Sequence, residues 1–170
     1  MITIIVCLVL LIPACALGYH FLINHHILKS NKHPIREIGN NRKIFSMVRD
    51  ILLQGEEVSV AVRGQSMLPF FLSGQTIHLR PLKDGEIKKG HVVLADTGKN
   101  FVVHRIIKIE AEVVTLFGDG NIKATEKVKP EMIYGIVKCS KAHLFLARIW
   151  LWIRPLRRYP LWIIKRITPK

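Results

Sequence analysis

Alternation of apolar and polar residues dominates the middle of the chain. Val58, Val60 and Val62 alternate with Ser59, Ala61 and Arg63, the period of a half-buried strand. Further strands are predicted over Gln75–Leu79, His91–Ala95, Phe101–Ile109, Glu112–Phe117 and Ile133–Lys138. Turn signals separate them at Lys83-Asp84-Gly85, Asp96-Thr97-Gly98 and Gly118-Asp119-Gly120-Asn121. Ahead of the strands, Ile44, Phe45, Val48, Ile51 and Leu52 recur at helical spacing. They predict a short amphipathic helix over Arg42–Leu53, with Gly55 placed to stop it. Several short strands joined by Gly-containing turns define a mainly β domain over residues 42–141.

The flanks follow other patterns. Ile2 to Gly18 is almost wholly apolar and carries no charge. Residues 1–18 are therefore expected to form a membrane anchor at the short edge of spanning length. Two alternatives stay open there. Ile12-Pro13-Ala14-Cys15 faintly resembles a lipoprotein cleavage box, and a cleaved signal would have the same apolar core but normally a basic start. An incorrectly assigned start is a third, since Met47 lies near the domain boundary. Residues 19–41 are polar and basic and read as a linker. Residues 142–170 hold all three tryptophans, Trp150, Trp152 and Trp162, mixed with Arg148, Arg154, Arg157, Arg158, Lys165 and Arg166. Trp and Arg both suit the lipid headgroup layer, so an interfacial tail is expected. The competing arrangement is a helix docked on the core with its charges solvated.

Composition sharpens these expectations. The formal charge is +14, and no Asp or Glu occurs after Glu131. Such a balance suits an anionic partner, lipid or nucleic acid. No helix-turn-helix precedes the β region, so lipid is expected and nucleic acid is not. The three cysteines, Cys7, Cys15 and Cys139, do not form a disulfide framework. Cys/His metal spacing is absent, so neither metal nor cofactor is expected. The basic residues follow the apolar segment, so the positive-inside rule puts the domain in the cytoplasm. A peptidase of exported precursors would have to cut on the opposite side, and the membrane side stays open.

Candidate chemistry lies in Gly64-Gln65-Ser66-Met67-Leu68-Pro69. Ser66 follows a strand at a bend that Gly64 permits and Pro69 fixes. Serine is also an ordinary turn residue, and as a nucleophile it needs a base. His104, in Val102-Val103-His104-Arg105, is the candidate base; it shares a strand face with Val102 and Ile106. Histidine ordinarily titrates near neutrality, which suits the work. Asp119 or Glu126 is the candidate third group that would hold the imidazole.

These residues fall into four boxes: Gly64–Pro69, Gly90-His91-Val92-Val93, Val102–Ile106 and Gly118–Asn121. In that order they resemble the conserved boxes of the S24/S26 serine peptidases, which include type I signal peptidases and LexA-type autoproteases. The resemblance covers Glu56 to Lys138. It implies a signal-peptidase or LexA-like β-rich fold, with a short N-terminal helix and flanking membrane-associated segments. It also implies Ser66 as nucleophile. Many members use a lysine base; this chain has His104 in that place and is similar to the histidine-using branch. It departs from that branch after Gly118–Asn121, where a further Asp is usual and the chain offers Ala124-Thr125-Glu126. Gln75 also stands where the family commonly has Asp.

The implied function is a membrane-associated serine endopeptidase of the signal-peptidase type, cutting a leader or precursor peptide. The alternative is an inactive peptide-binding domain of the same fold at the membrane. An extended peptide is expected to pair with the Val58–Val62 or the Phe101–Val103 strand edge. Val60, Val62, Met67, Phe101 and Val103 are the candidate substrate-binding residues.

Overall fold

The computed structural model describes residues 42–153 and 156–168 of the 170-residue chain. The expected anchor and linker, residues 1–41, lie outside the described residues. No described helix is long and apolar enough to cross a membrane.

Helix α1 (Arg42–Leu53) forms where the helical spacing predicts it. Its apolar stripe turns inward, with Val48 fully buried and Leu52 nearly so. Gly55, at φ 87°, ends it, a left-handed position that glycine takes without steric cost. At the start of α1, Arg42 donates to the carbonyls of Gly98 and Lys99 at 2.8 and 3.2 Å. The helix is thereby tied to a hairpin turn of the sheet.

Seven strands follow: β1 (Val58–Ala61), β2 (Thr76–Pro81), β3 (Val92–Asp96), β4 (Phe101–Ile109), β5 (Val114–Phe117), β6 (Thr125–Val128) and β7 (Ile133–Val137). They form one sheet in the order β1-β2-β7-β3-β4-β5-β6. All neighbouring pairs are antiparallel. The mainly β fold expected from the alternation is therefore present. Strand β6 was not expected, because Thr125-Glu126-Lys127-Val128 lacks apolar alternation and buries only Val128. It pairs on one side with β5, where Leu116 faces Glu126.

The sheet is covered on both faces. On β3, Val92 and Leu94 join one core with α1, whereas Val93 and Ala95 join a second core with Ile106, Val114 and Leu116. This is strand alternation used twice. The side chains of two tail helices, α2 (Lys141–Trp152) and α3 (Arg158–Ile167), enter the first core. Ser140 caps α2 by accepting from the His143 N–H at 3.1 Å. Trp150, Ala147, Leu161 and Ile164 are buried. The tail thus docks by its inner face, as the competing arrangement required. Its outer face stays open, with Trp152 83% and Trp162 64% exposed.

Candidate functional site

Strand β1 delivers the chain into a loop that its own backbone closes. The Val62 N–H donates to Gln75 O at 2.9 Å and the Gly74 N–H to Val62 O at 2.7 Å. Gly64, at φ 97°, turns the chain sharply just ahead of Ser66. Beyond it, Leu68, Phe70 and Phe71 sink into the core, which holds the loop from beneath.

The loop is held from above by the Gly118–Asn121 turn. The Gly120 N–H donates to Ser66 O at 2.7 Å. A Cβ on Gly120 would meet Gln65 O at 2.2 Å, and one on Gly118 would meet Ser66 O at 2.5 Å. Both distances are shorter than nonbonded atoms tolerate. The two glycines are there so that backbone can lie on backbone.

Asp119, between them, is fully buried and grips Arg105, which is equally buried. The guanidinium donates to both carboxylate oxygens, at 2.6 to 3.1 Å, and to Gly90 O at 2.6 Å. Burial by itself would lower the Arg105 pKa, but the charge and hydrogen bonds of Asp119 outweigh it and raise it above its ordinary value. The Trp150 indole N–H donates to Asp119 O at 2.9 Å. Asp119 is therefore the anchor of the turn and lies against Arg105.

The residue that holds His104 is Glu126. The imidazole Nδ1 lies 2.8 Å from Glu126 Oε2. His104 is 6% exposed at its side chain and Glu126 26%. Strand β6 brings the carboxylate there by pairing with β5, which pairs with β4. Of the two third-group candidates, Glu126 reaches the imidazole and Asp119 is engaged elsewhere.

Ser66 and His104 line one cleft of about 330 Å³, together with Phe45, Val62, Arg63, Gly64, Met67, Phe71, Phe101, Val102 and Val103. Four of the five substrate-binding candidates, Val62, Met67, Phe101 and Val103, are on its walls. Val60 is not, because its side chain points into the core and is fully buried. Among the described residues the Ser66 hydroxyl makes no hydrogen bond to His104. β3 pairs with Phe101–Arg105 on one side of β4, and β5 pairs with the other side over Arg105–Ile109. The Phe101–His104 stretch thus lines the cleft beyond the end of the β5 ladder.

Two further groups bear on the chemistry. Burial pushes the Cys139 thiol up to about 11, which keeps it protonated and a poor nucleophile at neutral pH. Groups of three or more His, Cys, Asp or Glu able to hold a metal ion are absent among the described residues.

The Ser66 loop, the glycine-lined turn and strand β4 sit in a β-rich fold of the LexA and signal-peptidase kind. The Peptidase S24-like family model matches residues 30–138, and the chain belongs to that family. Comparison with curated proteins gave no match.

Proposed function

We propose that the chain is a serine endopeptidase of the signal-peptidase type, associated with a membrane and working through Ser66 and His104. The observation that carries the reading is that His104, which lines the same cleft as Ser66, is held by Glu126 from behind. An ionised carboxylate only accepts, so the His104 Nδ1–H donates to Glu126 and Nε2 keeps its lone pair. That nitrogen is the one left to serve Ser66.

Ser66 Oγ attacks the peptide carbonyl while His104 Nε2 takes its proton. Glu126 stabilises the imidazolium that forms. The Ser66 N–H steadies the oxyanion; losing one such donor typically costs about a hundredfold or more in rate. His104 then gives its proton to the leaving amine, and the C–N bond breaks. Water, deprotonated by His104, hydrolyses the acyl-serine and frees the new carboxyl end. The gap between hydroxyl and imidazole closes as substrate binds, since such bonds often tighten only in the complex.

The peptide enters as an added strand beside Phe101–Val103, with Val62 and Arg63 on the facing wall. Its small side chains next to the cut fit the apolar surface of Val62, Met67, Phe71 and Phe101.

The test is N-terminal sequencing of fragments released from a precursor-peptide library by the wild type, Ser66→Ala and His104→Ala. New N-termini are expected with the wild type and none with either variant, all three melting alike. If the wild type and Ser66→Ala both bind peptides and neither cuts, the domain is a peptide binder and the enzyme reading fails.

A further inference from the structure

Helix α3 spends its two faces on different environments. Pro160, Leu161 and Ile164 are buried in the domain. The remaining surface carries two exposed ridges of residues four apart, neighbours on a helix. One is Arg158, Trp162 and Arg166; the other is Tyr159, Ile163 and Ile167. Tyr159 is 68% exposed, Trp162 64% and Ile167 69%. The guanidinium of Arg158 lies 5.7 Å from the centre of the Tyr159 ring, and that of Arg166 lies 5.3 Å from the centre of the Trp162 ring. Each exposed arginine therefore sits over an exposed aromatic.

We propose that this outer face of α3 docks on an anionic lipid surface, lying in the headgroup layer. The chemistry fits that partner from both sides. Tyr159, Trp162, Ile163 and Ile167 offer apolar area to the acyl boundary, where Trp and Tyr settle with one end dry and one end wet. Arg158 and Arg166 meet lipid phosphates, and no Asp or Glu follows Glu131 in the sequence to oppose them. Nucleic acid would satisfy the arginines and the rings but leave the two isoleucines bare. A ten-residue helix is about half the length needed to cross the hydrocarbon layer, and its inner face is committed to the domain. It lies along the surface and does not span it.

Docking there would also place the cleft. The Gln65 side-chain amide donates to Lys165 O at 3.2 Å and to Thr168 O at 3.0 Å. The residue before Ser66 thus grips the C-terminal end of α3. The Ser66 loop is thereby tied to the helix that meets the lipid, which holds the cleft near the membrane surface where precursor peptides emerge. This last consequence rests on the peptidase reading; the docking does not.

The experiment uses the full chain carrying Trp152→Phe, so that Trp162 is the exposed tryptophan while Trp150 stays buried. Vesicles of phosphatidylglycerol and phosphatidylcholine in equal parts, with brominated acyl chains, are the probe. The expected result is a blue shift and quenching of Trp162 emission, weak or absent with phosphatidylcholine alone. Arg158→Gln/Arg166→Gln should weaken this local docking about thirtyfold at low salt, from the usual gain per basic residue at an anionic surface. Its melting and its cleavage of a soluble peptide should stay unchanged. Co-sedimentation with vesicles while Trp162 remains unquenched would overturn the proposal, since another part of the chain would then hold the membrane. Equal quenching in phosphatidylcholine alone, or protection of Trp162 by duplex DNA and not by vesicles, would overturn it too. Repeating the quenching with Ser66→Ala separates the two readings: docking should persist where cleavage is lost.

Discussion

Replacing Glu126 with Gln removes one negative charge beside His104 and keeps the shape of the side chain. The Gln carbonyl can still accept from Nδ1–H, so the change isolates charge from geometry. The Nδ1···Oε2 separation is 2.8 Å. A full ion pair about 4 Å apart, charge centre to charge centre, is worth about 4 kcal/mol at the effective dielectric near a protein surface. Glu126 is 26% exposed at its side chain, so water screens part of that. A hydrogen bond to a charged group contributes about 1.5–3 kcal/mol net. Taking about 2.7 kcal/mol as the share present only when the imidazole is protonated, kcat falls about a hundredfold. KM should change little, because Glu126 is not among the cleft-lining residues. The assay is steady-state cleavage of a fluorogenic peptide built on the sequence released in the library experiment, with Ser66→Ala as the floor. Wild-type kcat in a folded Glu126→Gln would refute the assignment of Glu126 as the group that stabilises the imidazolium.

Three further outcomes follow from the same geometry. Asp119→Asn leaves the buried Arg105 without its counter-charge, a loss of about 3–5 kcal/mol. That should lower the melting temperature by about 10 °C in a domain of this size, as read by circular dichroism. Gly120→Ala puts a methyl 2.2 Å from Gln65 O, so the Ser66 loop must shift. A displacement of about 1 Å costs on the order of a hundredfold in rate, whereas Gly98→Ala, with nothing within 4 Å, should cost some stability and leave kcat unchanged. Glu86, hydrogen-bonded by Arg80 at 2.6 and 2.9 Å and by the Lys83 N–H, is held down to about 2 from 4.5. Its pairing therefore adds stability above the unfolded value of 4.5, lost as pH falls through about 2. Urea midpoints of wild type and Glu86→Gln should accordingly differ near neutrality and converge in acid.

What the sequence revealed depended on whether a residue's neighbours announce its face. Period-two alternation marks β1, and short apolar-rich runs between turn signals mark β2, β3, β4, β5 and β7, because each buries apolar side chains; helical spacing marks α1 for the same reason. β6 gives no such signal: it ends the sheet, buries only Val128 and is held by one ladder. Yet β6 carries Glu126, so the choice between Asp119 and Glu126 hung on an element whose pattern is polar. The tail was ambiguous for the opposite reason. Apolar residues lie on both sides of α3, Leu161 and Ile164 within and Trp162, Ile163 and Ile167 without, and only tertiary packing tells which side the domain takes.

The four boxes are separate in the chain and nearly continuous in space, which explains why they occur together. Val93 and His104 are partners across β3 and β4. His104 and Arg105 are adjacent on β4, and strand alternation sends them to opposite faces. The first serves the cleft. The second spans from Gly90 O to the Asp119 carboxylate, and Asp119 sits in the turn whose Gly120 N–H holds Ser66 O. The position of the Ser66 loop relative to His104 is thus set through Arg105, the residue next to it. A disturbance at Asp119 should then reach catalysis only through position, and one at Glu126 only through charge. Isosteric variants at the two sites separate these routes: Asp119→Asn should lose stability and move the Ser66 loop, while Glu126→Gln should keep both and lose rate.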